Sequence, residues 1–395
     1  MSSNETSAGT FSNSSQSATT NPNLSGSASN IGHRRADNGL RFSATFPDGL
    51  VDLSFINLIL NILTLGIYSF WARTNVRKCI WSAVRFNDEP LTYTGTGKEL
   101  MIGFLIVFAI VLLPVTLLMT GLILLIGDAN SPIVIGAQVS VGVVFFYLYG
   151  VAAYSAQRYI LSRTTWRGIR GHLSGSSWKY GWTAFWTAIL IIPTLGWVIP
   201  WRATKLQKII TNETKFGGTP LRFEGSSKPL YKPFAVFWLT VTVVLVAIAG
   251  IFGGIDFVDM ISADMAPEEK QRAGAKMAFI LIMQILFGYL VYKVMSAWYR
   301  ARAFNYFASI TKLQDAVFKG TATGPSLVKL AITNYLITIF TFSILSPVVL
   351  GRRTFYFVNR LALEGPVDFN AISQAEKQDI THGEGLAQAL DVNIF

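Results

Sequence analysis

Four uninterrupted apolar runs, Met101 to Ile126, Ile133 to Tyr154, Phe234 to Gly254 and Met277 to Ala297, constrain the fold more than any other feature of this chain. A helix needs roughly 20 apolar residues to cross a hydrocarbon core of about 30 Å, and each run reaches that length. None contains an acidic residue, and Lys293 lies near enough to an end for its stem to reach the headgroups. Composition agrees: 51% of residues are hydrophobic and 14% charged, with a mean hydropathy of +0.42, whereas soluble domains carry roughly 25% charged residues.

The net charge of +11 does not point to nucleic acid, because the 33 Lys and Arg form no single basic domain. They flank the apolar runs, as expected for contact with anionic headgroups and for retention in the cytoplasm during insertion. The lone Cys79 excludes an intramolecular disulfide, and His33, His172 and His382 lack the spacing of a metal site, so neither metal nor cofactor is expected. Residues 1–38, rich in Ser, Asn, Thr and Gly, read as a disordered tail without the apolar core of a signal peptide. Residues 374–395 read as a cytoplasmic C-terminal tail.

Three further apolar stretches, Val51 to Phe70, Trp182 to Ile199 and Leu327 to Leu350, are interrupted by polar residues, Gly or Pro. Five basic segments follow the apolar stretches, containing Arg73 and Arg77; Arg158 and Arg163; Arg202 and Lys208; Arg300 and Arg302; and Arg352 and Arg353. Seven full crossings cannot leave all five on one side. If the three interrupted stretches enter the bilayer and return as re-entrant hairpins, every basic segment and both termini are cytoplasmic, as the positive-inside rule prefers. The competing arrangement has seven conventional spans and one exported basic loop. The acidic stretch Asp256 to Glu269 is then periplasmic.

The chain also resembles itself. At an offset of 130 residues, Thr64, Leu65, Gly66, Trp71, Lys78, Pro90 and Gly95 correspond to Thr194, Leu195, Gly196, Trp201, Lys208, Pro220 and Gly225. A degenerate third copy runs from about Ala316 to Ser373, with Leu345-Ser346-Pro347 near its turn. The repeat units are about 41–165, 166–315 and 316–373, within one transmembrane domain of residues 39–373. In each unit a Gly permits a tight reversal, Gly66 or Gly196. An indole then stands at headgroup level, Trp71 or Trp201, with Arg73 or Arg202 beside it. Val76, Ile80 and Val84 line one face of the helix that follows, with Arg73 and Arg77 on another, so this helix should lie on the inner leaflet. Short alternating segments at Arg41 to Phe46, Leu91 to Gly95, Trp166 to Leu173, Leu221 to Gly225, Ala316 to Gly320 and Val367 to Ala371 have strand periodicity. On one membrane face they could join in a single antiparallel sheet or in several hairpins. The expected class is mainly α, a polytopic helical membrane bundle with pseudo-repeats, re-entrant hairpins and short cytoplasmic β-strands.

Phe55-Ile56-Asn57-Leu58 leading into Thr64-Leu65-Gly66-Ile67-Tyr68 and Trp71, then Tyr93-Thr94-Gly95-Thr96-Gly97, resembles the YjgN family of bacterial inner-membrane proteins. The ending Gly383-Glu384-Gly385-Leu386-Ala387 with Leu390-Asp391-Val392 is similar too. The resemblance covers about Arg41 to Phe395. It implies a bacterial cytoplasmic membrane and a family of unknown molecular function, and it supplies no catalytic residue.

Few residues suggest chemistry. Asp52, Asn57 and Asn61 form a polar stripe suited to a solute path or, more commonly, to satisfying a bent segment. Pro114 should kink its helix. His172 has no nucleophile or carboxylate at a recognisable spacing, and Gly95-Thr96-Gly97-Lys98 lacks the upstream glycine of a phosphate loop. The expectation is a non-enzymatic protein whose partners are the bilayer and, on its basic face, anionic lipid or a cytoplasmic protein. The alternative is a channel or transporter for a small solute.

Overall fold

The computed structural model describes residues 40–253, 266–369 and 372. Both expected tails lie outside the described residues, as do Gly254 and the acidic Asp256, Asp259 and Asp264. The chain alternates short strand pairs with helical hairpins. Strand β1 (Leu40–Ala44) leads into helices α1 (Leu50–Leu63) and α2 (Ser69–Ala83), followed by β2 (Val84–Phe86), β3 (Glu89–Pro90) and β4 (Thr92–Tyr93). The first long hairpin comprises α3 (Gly97–Val107), a π-helical turn (Phe108–Leu112), α4 (Leu113–Ile126) and α5 (Pro132–Arg163). The π-turn stands just before Pro114, where the ring and the missing N–H disturb the helical ladder. Strands β5 (Thr164–Trp166) and β6 (Ile169–Leu173) then lead into α6 (Ser177–Ile189) and α7 (Ile199–Glu213). After β7 (Thr214–Phe216) and β8 (Thr219–Phe223) come α8 (Lys228–Gly253) and α9 (Pro267–Ser309). The last units are β9 (Thr311–Leu313), β10 (Ala316–Gly320), α10 (Gly324–Phe340), α11 (Ser346–Val358) and β11 (Leu361–Glu364).

Four helical segments are long and apolar enough to cross a bilayer: Gly97–Ile126, Pro132–Arg163, Lys228–Ile248 and Gly274–Ser309. They contain three of the four runs read from the sequence whole, and most of the other, Phe234 to Gly254, which continues beyond Ile248. By contrast α1, at 14 residues, is only about 21 Å long at 1.5 Å per residue, short of a hydrocarbon core.

The turns of the three short hairpins share one hydrogen-bond pattern. Gly66 N–H donates to Asn61 O (2.7 Å), Gly196 N–H to Ile191 O (2.8 Å) and Ser343 N–H to Thr338 O (2.8 Å). Each turn begins at a threonine whose hydroxyl donates four residues back, Thr64 to Leu60 O, Thr194 to Leu190 O and Thr341 to Ile337 O. Two consecutive left-handed residues follow: Leu65 and Gly66 (φ 50° and 90°), Leu195 and Gly196 (48° and 87°), Phe342 and Ser343 (47° and 66°). The third turn falls at Thr341–Ser343, just before Leu345-Ser346-Pro347, of which Ser346 and Pro347 open α11.

All strands join one 11-stranded sheet in the order β3-β2-β1-β11-β10-β9-β8-β7-β6-β5-β4. Every pairing is antiparallel. The two edges, β3 and β4, are separated in the chain by Leu91 alone, so the sheet nearly closes on itself. Trp166 to Leu173, expected as one segment, is a hairpin turning at Arg167 and Gly168, both with positive φ. Of the expected segment Val367 to Ala371, the described part, Val367 to Phe369, is not a strand: the last described strand is Leu361–Glu364, and Asp368 instead exchanges hydrogen bonds with the Gln314 side chain at the β9–β10 turn.

The sheet encloses an apolar cluster of Phe86, Trp166, Leu313, Ala316 and Leu363, against which Phe42, Phe216, Leu221, Phe318 and Phe369 pack. Phe369 reaches both Phe86 (5.9 Å between centroids) and Trp166 (5.4 Å), so the segment after β11 crosses the enclosed space. Asparagines near the ends of three helices clamp the backbone at or just beyond strand ends. Asn359 accepts from Ala44 N–H (2.6 Å) and donates to Ala44 O (2.9 Å). Asn305 does the same with Ala322 (2.9 and 2.7 Å), and Asn212 accepts from Phe223 N–H (2.7 Å).

Candidate functional site

Alternation along the strands sorts the two faces of the sheet. In β2, Val84 and Phe86 are buried while Arg85 between them is exposed, and β8 exposes Arg222 next to buried Phe223. Arg41 and Lys319 are likewise exposed, with Arg170, Lys215 and Lys312 partly so. The outward face is thus a basic collar. Three of the carboxylates along it are engaged: Glu89 accepts two hydrogen bonds from Arg167 (2.5 and 2.6 Å), Glu364 pairs with Lys319 (2.9 Å), and Glu224 with Lys312 (3.5 Å). The hydrogen bond from Arg167 holds the Glu89 carboxyl below its usual range and raises the guanidinium in return. His172 faces Lys215 across β6 and β7. Desolvation, then the charges of Lys215 and Arg158, keep its pKa below the usual imidazole value, so it adds no charge to the collar near neutrality.

Among the helices that lead into the sheet, most cations have a partner. Arg163 pairs with Glu99 (3.1 Å), which also accepts from Tyr159 (2.5 Å). Arg158 donates to Gly175 O and lies over the Tyr154 ring, while Tyr154 donates to Glu213. Arg352 donates to Thr333 (2.9 Å), and Arg302 covers the Trp298 ring at 3.7 Å.

The residues singled out in the sequence divide between two hairpins. Gly66 supplies the left-handed turn residue of the first, Trp71 stacks on Tyr68, and Arg73 is exposed. A side chain at Gly97 would meet Trp71 Cγ at 2.7 Å, so this glycine serves the indole and Thr96 caps α3 by accepting from Glu99 N–H (3.3 Å). In the second hairpin Gly196 turns the chain, and Trp238 donates to Leu195 O (2.8 Å) beside it. Trp201 is 37% exposed with Lys205 over its ring at 4.7 Å. Arg202, in the first turn of α7, has its Nε buried.

The polar stripe of α1 splits. Asp52 is exposed while Asn57 is buried, since five residues turn a helix by about 140° beyond a full revolution. Val76 and Ile80 are buried as their spacing implied, and Val84 begins the strand. Sequence reasoning missed the asparagine clamps, whose only signal is an Asn close to a helix end. Among the described residues, no three His, Cys, Asp or Glu side chains are grouped to hold a metal.

A family model described as "Bacterial protein of unknown function (DUF898)" matches residues 40–389. Inner membrane protein YjgN of Salmonella typhimurium is 35% identical over 69 residues, 18% of each chain. The matched part is thus a small share of that relative's length. No solved structure matches. With the family model spanning nearly the whole described region, this chain belongs to the DUF898 family of bacterial proteins, the family of the YjgN proteins.

Proposed function

We propose that this is a multi-pass inner-membrane protein without enzymatic activity, whose basic collar holds anionic phospholipid at the cytoplasmic surface. Four helices cross the bilayer, and three short hairpins enter and return. The observation that carries this topology is the sheet: strands before and after every helical hairpin pair with one another, so each hairpin starts and ends at the same level. A single sheet on one side of a membrane is compatible with re-entrant α1–α2, α6–α7 and α10–α11, and an odd number of crossings is not. The common turn pattern supports internal repetition, and the basic loops support a cytoplasmic side for the sheet and both termini.

Headgroup binding follows from charge. Arg41, Arg85 and Arg222 are exposed on the outward face, and each basic residue near an anionic surface contributes about 1 kcal/mol. Full-length protein reconstituted in nanodiscs tests this. Replacing a third of phosphatidylcholine by phosphatidylglycerol should raise the melting temperature by several degrees, and Arg85→Glu with Arg222→Glu should remove most of that gain. Equal melting temperatures in neutral and anionic lipid would overturn the reading.

A second reading, a solute channel, is favoured by Asn57, whose buried carboxamide has no hydrogen-bond partner among the described residues. The aromatic filling of the sheet opposes a path along its axis. Flux of small osmolytes through proteoliposomes at the rate of empty vesicles would remove it.

A further inference from the structure

We propose that residues 365–369 form a lid over one rim of the sheet, and that Phe369 at its tip keeps the seam of the sheet shut. The lid does not depend on the lipid reading of the basic collar. Connectivity defines the rim. Helices α2, α5 and α7 run directly into β2, β5 and β7, and β8 and β10 lead back into α8 and α10. The helices therefore leave from one rim of the sheet, and the hairpin turns make up the other.

The seam lies at the rim of the turns. Residues 89–93 pair with β2 through Glu89 and Pro90, and with β5 through Thr92 and Tyr93, changing neighbours at Leu91. Where the ladder to β5 stops, side chains take over. Arg167, in the β5–β6 turn, holds Glu89 with two hydrogen bonds, and Trp166 Nε1 donates to Phe86 O (3.1 Å). Inside the sheet the Phe86 and Trp166 rings meet at 5.0 Å between centroids, and Phe369 completes a triangle with them. At the helix rim the same strands are held separately, by the β4–β5 ladder and by Trp81 donating to Thr164 Oγ1 (2.8 Å).

The lid reaches this triangle from across the sheet. After β11, Gly365 turns the chain at φ 117°, and a Cβ on it would lie 3.0 Å from Ala316 Cα, a position that excludes a side chain. Asp368 is then pinned at the β9–β10 turn, its N–H donating to Gln314 Oε1 (2.9 Å) and its O accepting from Gln314 Nε2 (3.2 Å). In the strand order β9 and β10 stand midway between the edges β3 and β4, so the lid ties the middle of the sheet to its two ends. Its attachments suit an element that lifts. The Gln314 pair is exposed and the Phe369 ring is only partly buried, whereas Phe86 and Trp166 beneath it are buried. Residues 365–369 belong to no strand, so raising them uncovers the aromatic interior without breaking a ladder hydrogen bond.

Hydrogen exchange of the full-length protein in nanodiscs reads the seam. Phe369→Ala should speed amide exchange about fivefold or more in residues 84–90 and 164–170, the hairpins on either side of the seam, and less than about twofold in residues 214–223 of β7 and β8. Gln314→Ala alters neither seam hairpin directly and should give the same pattern at about twofold. Should Phe369→Ala not fold, Phe369→Leu and Gln314→Ala carry the test. Acceleration confined to residues 311–320 would make the segment a local cover of the β9–β10 turn and overturn the lid. Acceleration spread evenly over all strands, the mark of an ordinary core residue, would overturn it too, as would unchanged exchange in both seam hairpins.

Discussion

At the scale of single residues, the hairpin turns set a conformational demand that each copy meets differently. Gly66 and Gly196 sit at φ near 90°, where a Cβ is strained, whereas Ser343 occupies the corresponding place at φ 66°. Gly66→Ala and Gly196→Ala should each cost about 1 to 2 kcal/mol, and Ser343→Gly should stabilise by up to about 1 kcal/mol. Thermal unfolding in one detergent checks all three, and a neutral Gly66→Ala would refute the argument. His172 makes a pH prediction. The fold favours its neutral form, so its contribution is fully present above the unfolded value of about 6.5 and is lost as pH falls through the lowered folded value. Between pH 7.5 and 5.5 the melting temperature of wild type should fall more than that of His172→Gln.

At the scale of elements, the weakest covalent point of the sheet is the pairing of β1 with β11, joined by no turn. That pairing joins strands more than 300 residues apart in the chain, and Asn359 holds both backbone groups of Ala44. Asn359→Ala leaves those two groups to find water and should cost about 2 kcal/mol. Amide exchange should then accelerate in residues 40–44 before it does in β7 and β8, which a two-residue turn keeps adjacent. Uniform acceleration over the whole sheet would contradict this. The strands themselves were partly legible. Alternation located β1, β4, β6, β8 and β10, but the three-residue β2, β5, β7 and β9 are too short for a period of two to register. Val367 to Phe369 alternates as a strand does, yet β10 already has neighbours in β9 and β11, so the segment finds its partners in Gln314 and the enclosed aromatics instead.

At the scale of the whole molecule, the sheet links every hairpin and so governs topology. If all its strands share the cytoplasmic side, Lys208 on α7 does too. A Lys208→Cys variant in a Cys79→Ser background should react with an impermeant maleimide only after the inner membrane is opened, and labelling of intact spheroplasts would restore the seven-span arrangement. The sequence by itself determined which helices are long and apolar enough to cross, because about 30 Å of hydrocarbon demands length and purity that composition reveals directly. It also located two of the hairpin turns, since Gly66 and Gly196 mark conformations other residues avoid. Only the tertiary structure decided which strands pair, that the sheet nearly closes, and that Asn359 clamps both backbone groups of Ala44. Those relations join residues far apart in the chain, where hydrogen-bond partners and packing neighbours leave no local period to read.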